Sequence, residues 1–191
     1  MEYSITIDDV YAAAGRLDGI VKRTPVVSAE EIDKVVGRQV LMKCENLQHI
    51  GAFKFRGATN AVIMLGDDAE SGVCTHSSGN HAQALSMAAK NRGVDAYIVM
   101  PRTAPKVKVL GVNNQGAEIT FCEPTLEARE ATAGDIMDRT GAALVHPYDN
   151  PNVIAGQGTA ALEFFLQAGE LDAIVSPVGG GGLMSGTSIT T

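Results

Sequence analysis

An α/β fold with open parallel sheets flanked by helices is predicted by two observations. Between Gly72 and His146, short runs rich in valine and isoleucine alternate with longer runs of helical period, which calls for parallel strands joined by helical crossovers. Glycine and proline fall at the joints: Gly93 and Gly141 follow helical runs, and Pro101 ends an apolar one.

The elements follow in order. Residues 6–18 carry Val10, Ala13, Ala14 and Leu17 at helical spacing, with Asp8 and Asp9 near the positive end of the helix dipole. Thr24–Val27 reads as extended, because Pro25 disfavours helix in the residue before it, and Val40–Lys43 is a short strand. A helix is predicted from Lys54 or Phe55 onward. Strands are predicted at Val73–His76, Ala96–Met100, Ala117–Phe121 and Ala143–His146. Helices are predicted at Asn80–Asn91, Pro105–Asn114 and Leu126–Thr140. A long helix then covers Asn152–Ala168, a strand Ala173–Ser176, a glycine-rich loop Pro177–Gly182, and another helix opens at Leu183.

Composition narrows the function. Apolar residues make up 45% and charged residues 19%, the balance of an ordinary soluble globular protein. Fifteen basic against twenty-two acidic residues give a net charge of −7, and no lysine/arginine run stands out, so no nucleic-acid surface is expected. Cys44, Cys74 and Cys122 have neither disulfide-ladder nor metal-pair spacing and read as thiols in a reducing cytosol. His49, His76 and His146 show no ligand spacing, so no metal is expected. The start, MEYSITIDDV, lacks the apolar core of a signal peptide, and no apolar run approaches the roughly 20 residues that span a bilayer. A cytoplasmic location without membrane partners is expected.

Three loops carry the candidate chemistry. In Gly179–Gly182, glycines between a strand and a helix suit a phosphate: backbone N–H groups converge and the helix dipole favours an anion. The run matches neither the ATP-binding GxxxxGKS nor the dinucleotide GxGxxG pattern, and as a flexible turn it has a plain reading too. Ser77-Ser78-Gly79-Asn80-His81 lies where ligands bind in open α/β sheets, at the C-terminal end of a strand. Its serine and asparagine also suit plain helix caps, and His81 reads as a surface residue with a base as the alternative. In GAFKFRG, Gly51–Gly57, Lys54 is either the solvent-facing member of an alternating run or a reactive amine. A desolvated site near other positive charge, such as Arg56, would lower its pKa and free the amine. A lysine, a phosphate cradle and a polar strand-end loop together define an aldehyde carrying a phosphate, and pyridoxal 5′-phosphate meets that description.

Over essentially its whole length the chain resembles the fold type II pyridoxal-phosphate enzymes, specifically the threonine/serine dehydratase and serine racemase family. The resemblance is carried by KCENLQHIGAFKFRGATNA (43–61), THSSGNHAQALSMAA (75–89), AYIVMPRTAPKVK (96–108), VIAGQGTAALE (153–163) and PVGGGGLMSG (177–186). It implies a tryptophan-synthase-β-like architecture: residues 1–71 and 147–191 in a large cofactor domain, 72–146 in a small α/β domain. Family members continue well past the glycine loop, so the resemblance implies that the large domain is incomplete here.

The resemblance also implies residue roles. Lys54 matches the lysine that forms the Schiff base and acts as catalytic base, with Phe53 beside it against the cofactor. Gly179, Gly180, Gly181 and Gly182 match the phosphate loop, and Asn80 the asparagine bonded to the cofactor's phenolic oxygen. Ser78 matches the second acid/base on the opposite face. Ser77, Ser78, Asn80 and His81 lie in the loop that holds the substrate carboxylate, and Arg129 matches a substrate-proximal arginine. The implied reaction is β-elimination from L-threonine, L-serine or 3-hydroxyaspartate, giving a 2-oxo acid and ammonia. Serine racemisation is the alternative, and a catalytically inactive truncated α/β module the second. The family implies a homo-oligomer.

Overall fold

The computed structural model describes residues 4–191; Met1–Tyr3, the beginning of the segment read as lacking an apolar leader, lie outside the described residues. Helix α1 (Ile7–Leu17) opens on a capping box, in which Thr6 and Asp9 satisfy each other's end of the first turn. Strands β1 (Val26–Val27) and β2 (Met42–Lys43) pair antiparallel. Between them lies α2 (Glu30–Val36), which the sequence reading missed. None of its residues is buried, so it carries no apolar face to recognise; its signals are the Glu30–Lys34 pair and Gly37, a left-handed C-cap.

Helix α3 (Lys54–Leu65) leads into a parallel sheet of β3 (Val73–His76), β4 (Ala96–Pro101), β5 (Glu118–Cys122) and β6 (Ala143–Leu144), in the order β5-β4-β3-β6. The crossovers are α4 (Asn80–Arg92), α5 (Lys106–Asn113) and α6 (Leu126–Thr140). Alternation along the strands splits the core. Val73, Ile98 and Met100 pack with Leu85 and Ala88 of α4, while Cys74 and Val99 pack with Ala133 and Ile136 of α6. Both Cys74 and Cys122 are buried, and burial pushes the Cys74 thiol up to about 11.

Helices α7 (Pro151–Ala168) and α8 (Gly182–Thr190) complete the chain. Two glycines two residues apart on α7 point to roughly opposite sides of it. A Cβ on Gly156 would stand 2.6 Å from Gly57 Cα of α3, and one on Gly186 of α8 would stand 2.6 Å from Gly158 N. Thus α7 lies between the helix that begins at Lys54 and the helix that begins at the glycine run, in backbone contact with both. The strand predicted at Ala173–Ser176 is not formed: it has no partner in either sheet, and Val175 is 93% exposed. A strand is defined by its ladder, and an apolar run without a neighbour to bond stays irregular. Among the described residues no helix is long and apolar enough to cross a membrane.

Candidate active site

The order of the parallel sheet reverses at β3. From it the chain steps outward to β4 and β5, then returns to β6 on the other side. Open α/β sheets bind ligands outside the strand ends at such a reversal. The segments leaving β3 and β6 meet there: His81 Nε2 donates to the Val145 carbonyl at 3.1 Å.

Lys54 comes to the same place from α3. Ile50 and Gly51, both with left-handed backbone (φ +57° and +70°), turn the chain into Phe53 and Lys54. Lys54 is the first residue of α3, and its ammonium donates to the Pro147 carbonyl at 2.7 Å, 5.4 Å from the centre of the Phe53 ring. Half-burial lowers its pKa. A helix N-terminus, with no acid in its first turn, also disfavours a cation. Arg56, adjacent in sequence, does not contribute. Its guanidinium, 1% exposed, turns away to Glu45 (2.7 and 2.8 Å) and Glu163 (3.2 Å). Glu163 also takes a hydrogen bond from Lys43. Burial works to raise the Glu163 carboxyl, but its bonds from Arg56 and Lys43 win and hold it below the usual carboxylate range.

The residue after Pro147 carries the path to the glycine run. The ring of Tyr148 lies against Gly180, and Gly182 sits over the Tyr148 backbone, where a Cβ would stand 3.0 Å from the Tyr148 carbonyl oxygen. Behind it, edge-to-face contacts run from Tyr148 to His146 (4.6 Å) and on to His76 (5.3 Å). Gly181 caps α8 in the left-handed conformation (φ +91°), and among the described residues no side chain caps the helix and its first turn carries no acid. Gly179 and Gly181 face open space.

The strand-end loop departs from its reading as helix cap. Gly79 is the N-cap of α4 and makes no side-chain cap bond. Ser77 Oγ accepts instead from Gly79 N at 3.3 Å, Ser78 is half-buried, and Asn80 Oδ1 accepts from Lys108 Nζ at 2.5 Å. His81 is no surface residue: it is 2% exposed, and burial, with the Lys54 charge second, pushes its pKa down to about 3. A group so far below neutrality is not poised as a base near pH 7. Its Nδ1 is buried and, among the described residues, has no hydrogen-bond partner. Arg129 stands apart, on α6 near Cys122 at the end of edge strand β5. Sequence reasoning missed Tyr148, Pro147 and Lys108; the signal for the first two was their place just past a strand beside the sheet reversal. A cavity of about 1140 Å³ lies elsewhere, between β2, α7 and residues 170–177. Its lining is largely apolar and Phe53 is the only one of the predicted site residues on it, so the chemistry is better located by the side chains than by cavity size.

Residues 17–191 match the model of the family described as pyridoxal-phosphate dependent enzyme. The chain belongs to this family. Within it, it falls with the serine racemases and threonine dehydratases. It is 50% identical to the β-hydroxyaspartate dehydratase of Paracoccus denitrificans, over 98% of this chain and 60% of that protein. It is 48% identical to the serine racemase of Dictyostelium discoideum, over 98% and 58%. The structure of maize serine racemase superposes with a TM-score of 0.97 at 44% identity, covering 98% of this chain and 57% of that one. The chain therefore spans less than two-thirds of the length of these relatives. The fold is the α/β fold type II architecture of the family, with the parallel four-stranded sheet flanked by helices.

The residues present suit the family's cofactor. The uncapped amides of α8 and the open faces of Gly179 and Gly181 offer donors and room to an anion, and Lys54 offers an amine with a lowered pKa.

Proposed function

We propose that this chain binds pyridoxal phosphate and acts at the α-carbon of a small hydroxy-amino acid, with serine racemisation as its reaction. The observation that carries the reading is the short path from amine to glycine turn: Lys54 bonds the Pro147 carbonyl, and the adjacent Tyr148 ring packs on Gly180. Lys54 would hold the cofactor's aldehyde end. Gly179–Gly182 would hold its phosphate, with Phe53 and Asn80 against the ring. When bound, the cofactor supplies an electron sink for the carbanion at the α-carbon.

The chain's own groups do the rest. Lys54 takes the α-proton on one face, helped by the burial that lowers its pKa. Ser78 holds the proton for the other face. The Ser77–His81 loop receives the substrate carboxylate, with the N-terminus of α4, free of any side-chain cap or acid, favouring that charge. His81 serves by holding α4 to Val145 rather than by moving protons. Arg129, on α6 by edge strand β5, is proposed as a charge that acts on the substrate from a distance.

A second reading, β-elimination of a hydroxy-amino acid, is favoured by the 50% identity to a β-hydroxyaspartate dehydratase. The test separates the two. Pyridoxal phosphate is titrated into the chain and into Lys54→Ala while the absorbance of bound cofactor is followed. D-serine and 2-oxo acid formation from L-serine are then measured for the chain and for Ser78→Ala. Lys54-dependent uptake with D-serine lost in Ser78→Ala supports racemisation. Identical spectra for the chain and Lys54→Ala overturn the cofactor reading, and 2-oxo acid without D-serine leaves elimination as the reaction.

A further inference from the structure

Lys108 has no part in the chemistry above, yet its ammonium reaches Asn80 Oδ1 at 2.5 Å, and both residues are half-buried. An ammonium has three donors and no acceptor, so the oxygen of the amide must face it. Nδ2 then turns away with both hydrogens, and among the described residues it donates to no protein atom.

The contact is built into the packing of two helices. Gly111 and Gln83 lie three residues beyond Lys108 and Asn80, on the same faces of α5 and α4. A Cβ on Gly111 would stand 2.5 Å from Gln83 Oε1. With no side chain at 111, the Gln83 side chain of α4 lies flat against α5, and one turn earlier the lysine comes within reach of the asparagine. Asn80 is the first residue of α4 and not its N-cap, which is Gly79, and its side-chain oxygen goes to Lys108.

We infer that Lys108 is a positioning residue that fixes the flip of the Asn80 amide, so that Nδ2 is presented as a donor to an acceptor oxygen on the cofactor ring. The inference rests on the cofactor reading above and deepens it. Without the ammonium the amide turns freely, and half of its orientations offer an acceptor where a donor is needed. With it, the positive charge behind the oxygen polarises the amide and strengthens the outward N–H.

The test uses the 191-residue chain and four variants: Lys108→Met, Lys108→Arg, Asn80→Ala and the double Lys108→Met/Asn80→Ala. Three readouts are taken: cofactor affinity by absorbance titration, melting temperature, and the side-chain amide signals of Asn80 by ¹⁵N NMR in the ligand-free chain. Lys108→Met is expected to weaken affinity about tenfold and to move the Asn80 amide signals, while Lys108→Arg, which keeps the donor, weakens it by about threefold or less. The double variant binds no more weakly than Asn80→Ala alone, because the lysine acts only through the asparagine. Additive losses, or affinity that falls in step with melting temperature in both lysine variants, overturn the inference. So do unmoved Asn80 signals in a chain whose Lys54-dependent uptake is intact. Absence of that uptake in the unsubstituted chain overturns instead the cofactor reading beneath it.

Discussion

The ring of Tyr148 fills the space that a side chain at Gly180 would occupy: a Cβ there would stand 2.1 Å from Cδ1 and 2.2 Å from Cγ. These atoms form the root of the ring, not its flexible tip, so Gly180→Ala forces the whole side chain to move. We expect Gly180→Ala to weaken cofactor affinity about tenfold, in line with the 1–3 kcal/mol of ordinary overpacking. Gly180→Ala/Tyr148→Ala should recover part of the loss. Absorbance titration of the three proteins checks this; equal affinity for Gly180→Ala and the unsubstituted chain would contradict it.

His81 makes the fold sensitive to acid. Its folded pKa of about 3 lies below its ordinary value of 6.5, so the folded chain refuses a proton that the unfolded chain accepts. Above pH 6.5 there is no penalty. As pH falls from 6.5 toward 3, stability drops by up to about 1.4 kcal/mol per pH unit. Urea denaturation of the chain and His81→Gln at pH 7 and pH 5 should show a shallower decline in the variant.

Lys54 acts in the alkaline range with the same sign. Its folded pKa is lowered from 10.5, so between the lowered value and 10.5 the unfolded chain still holds a proton that the folded chain has lost. The contribution of Lys54 to stability therefore rises with pH in that window. The stability difference between the chain and Lys54→Met, measured without cofactor at neutral pH and at pH 10, should shift in favour of the lysine at the higher pH; an unchanged difference would show that the amine is not desolvated.

Arg56 is the most deeply buried cation in the structure and has two carboxylate partners. Arg56→Met leaves Glu45 and Glu163 without that partner. Removing one member of a buried ion pair typically costs about 3–5 kcal/mol. We expect a loss of that order by urea denaturation, with Arg56→Lys falling between. A loss below about 1 kcal/mol would put this cluster in the class of surface pairs.

The strand–helix alternation was legible because its stops are chemical. Gly93 and Gly141 take left-handed angles (+81° and +76°) that glycine alone adopts freely, and Pro101 ends β4. Lys54 and the glycine run were legible as reactive types, each in a local setting that asked for explanation. Burial that comes from distant chain was not legible. His81 begins an alanine-rich helix and reads as exposed, until Val145, 64 residues on, covers it. Arg56 looks like a neighbour for Lys54, but its partners lie 11 and 107 residues away and draw it to the other side. At Ala173–Ser176 the pattern of a strand was present and its ladder was not, since periodicity records a face and not the neighbour that would bond to it.

The glycines of α7 carry a consequence for how far the candidate site can adapt. Where two helices touch through side chains, a methyl more or less resets their separation. Between α3 and α7, and again between α7 and α8, peptide rests on peptide, so the span from the reactive amine to the anion cradle is a sum of main-chain thicknesses. Such a gauge can be broken by one added carbon, but no exchange of side chains at these crossings can trim it to a shorter ligand.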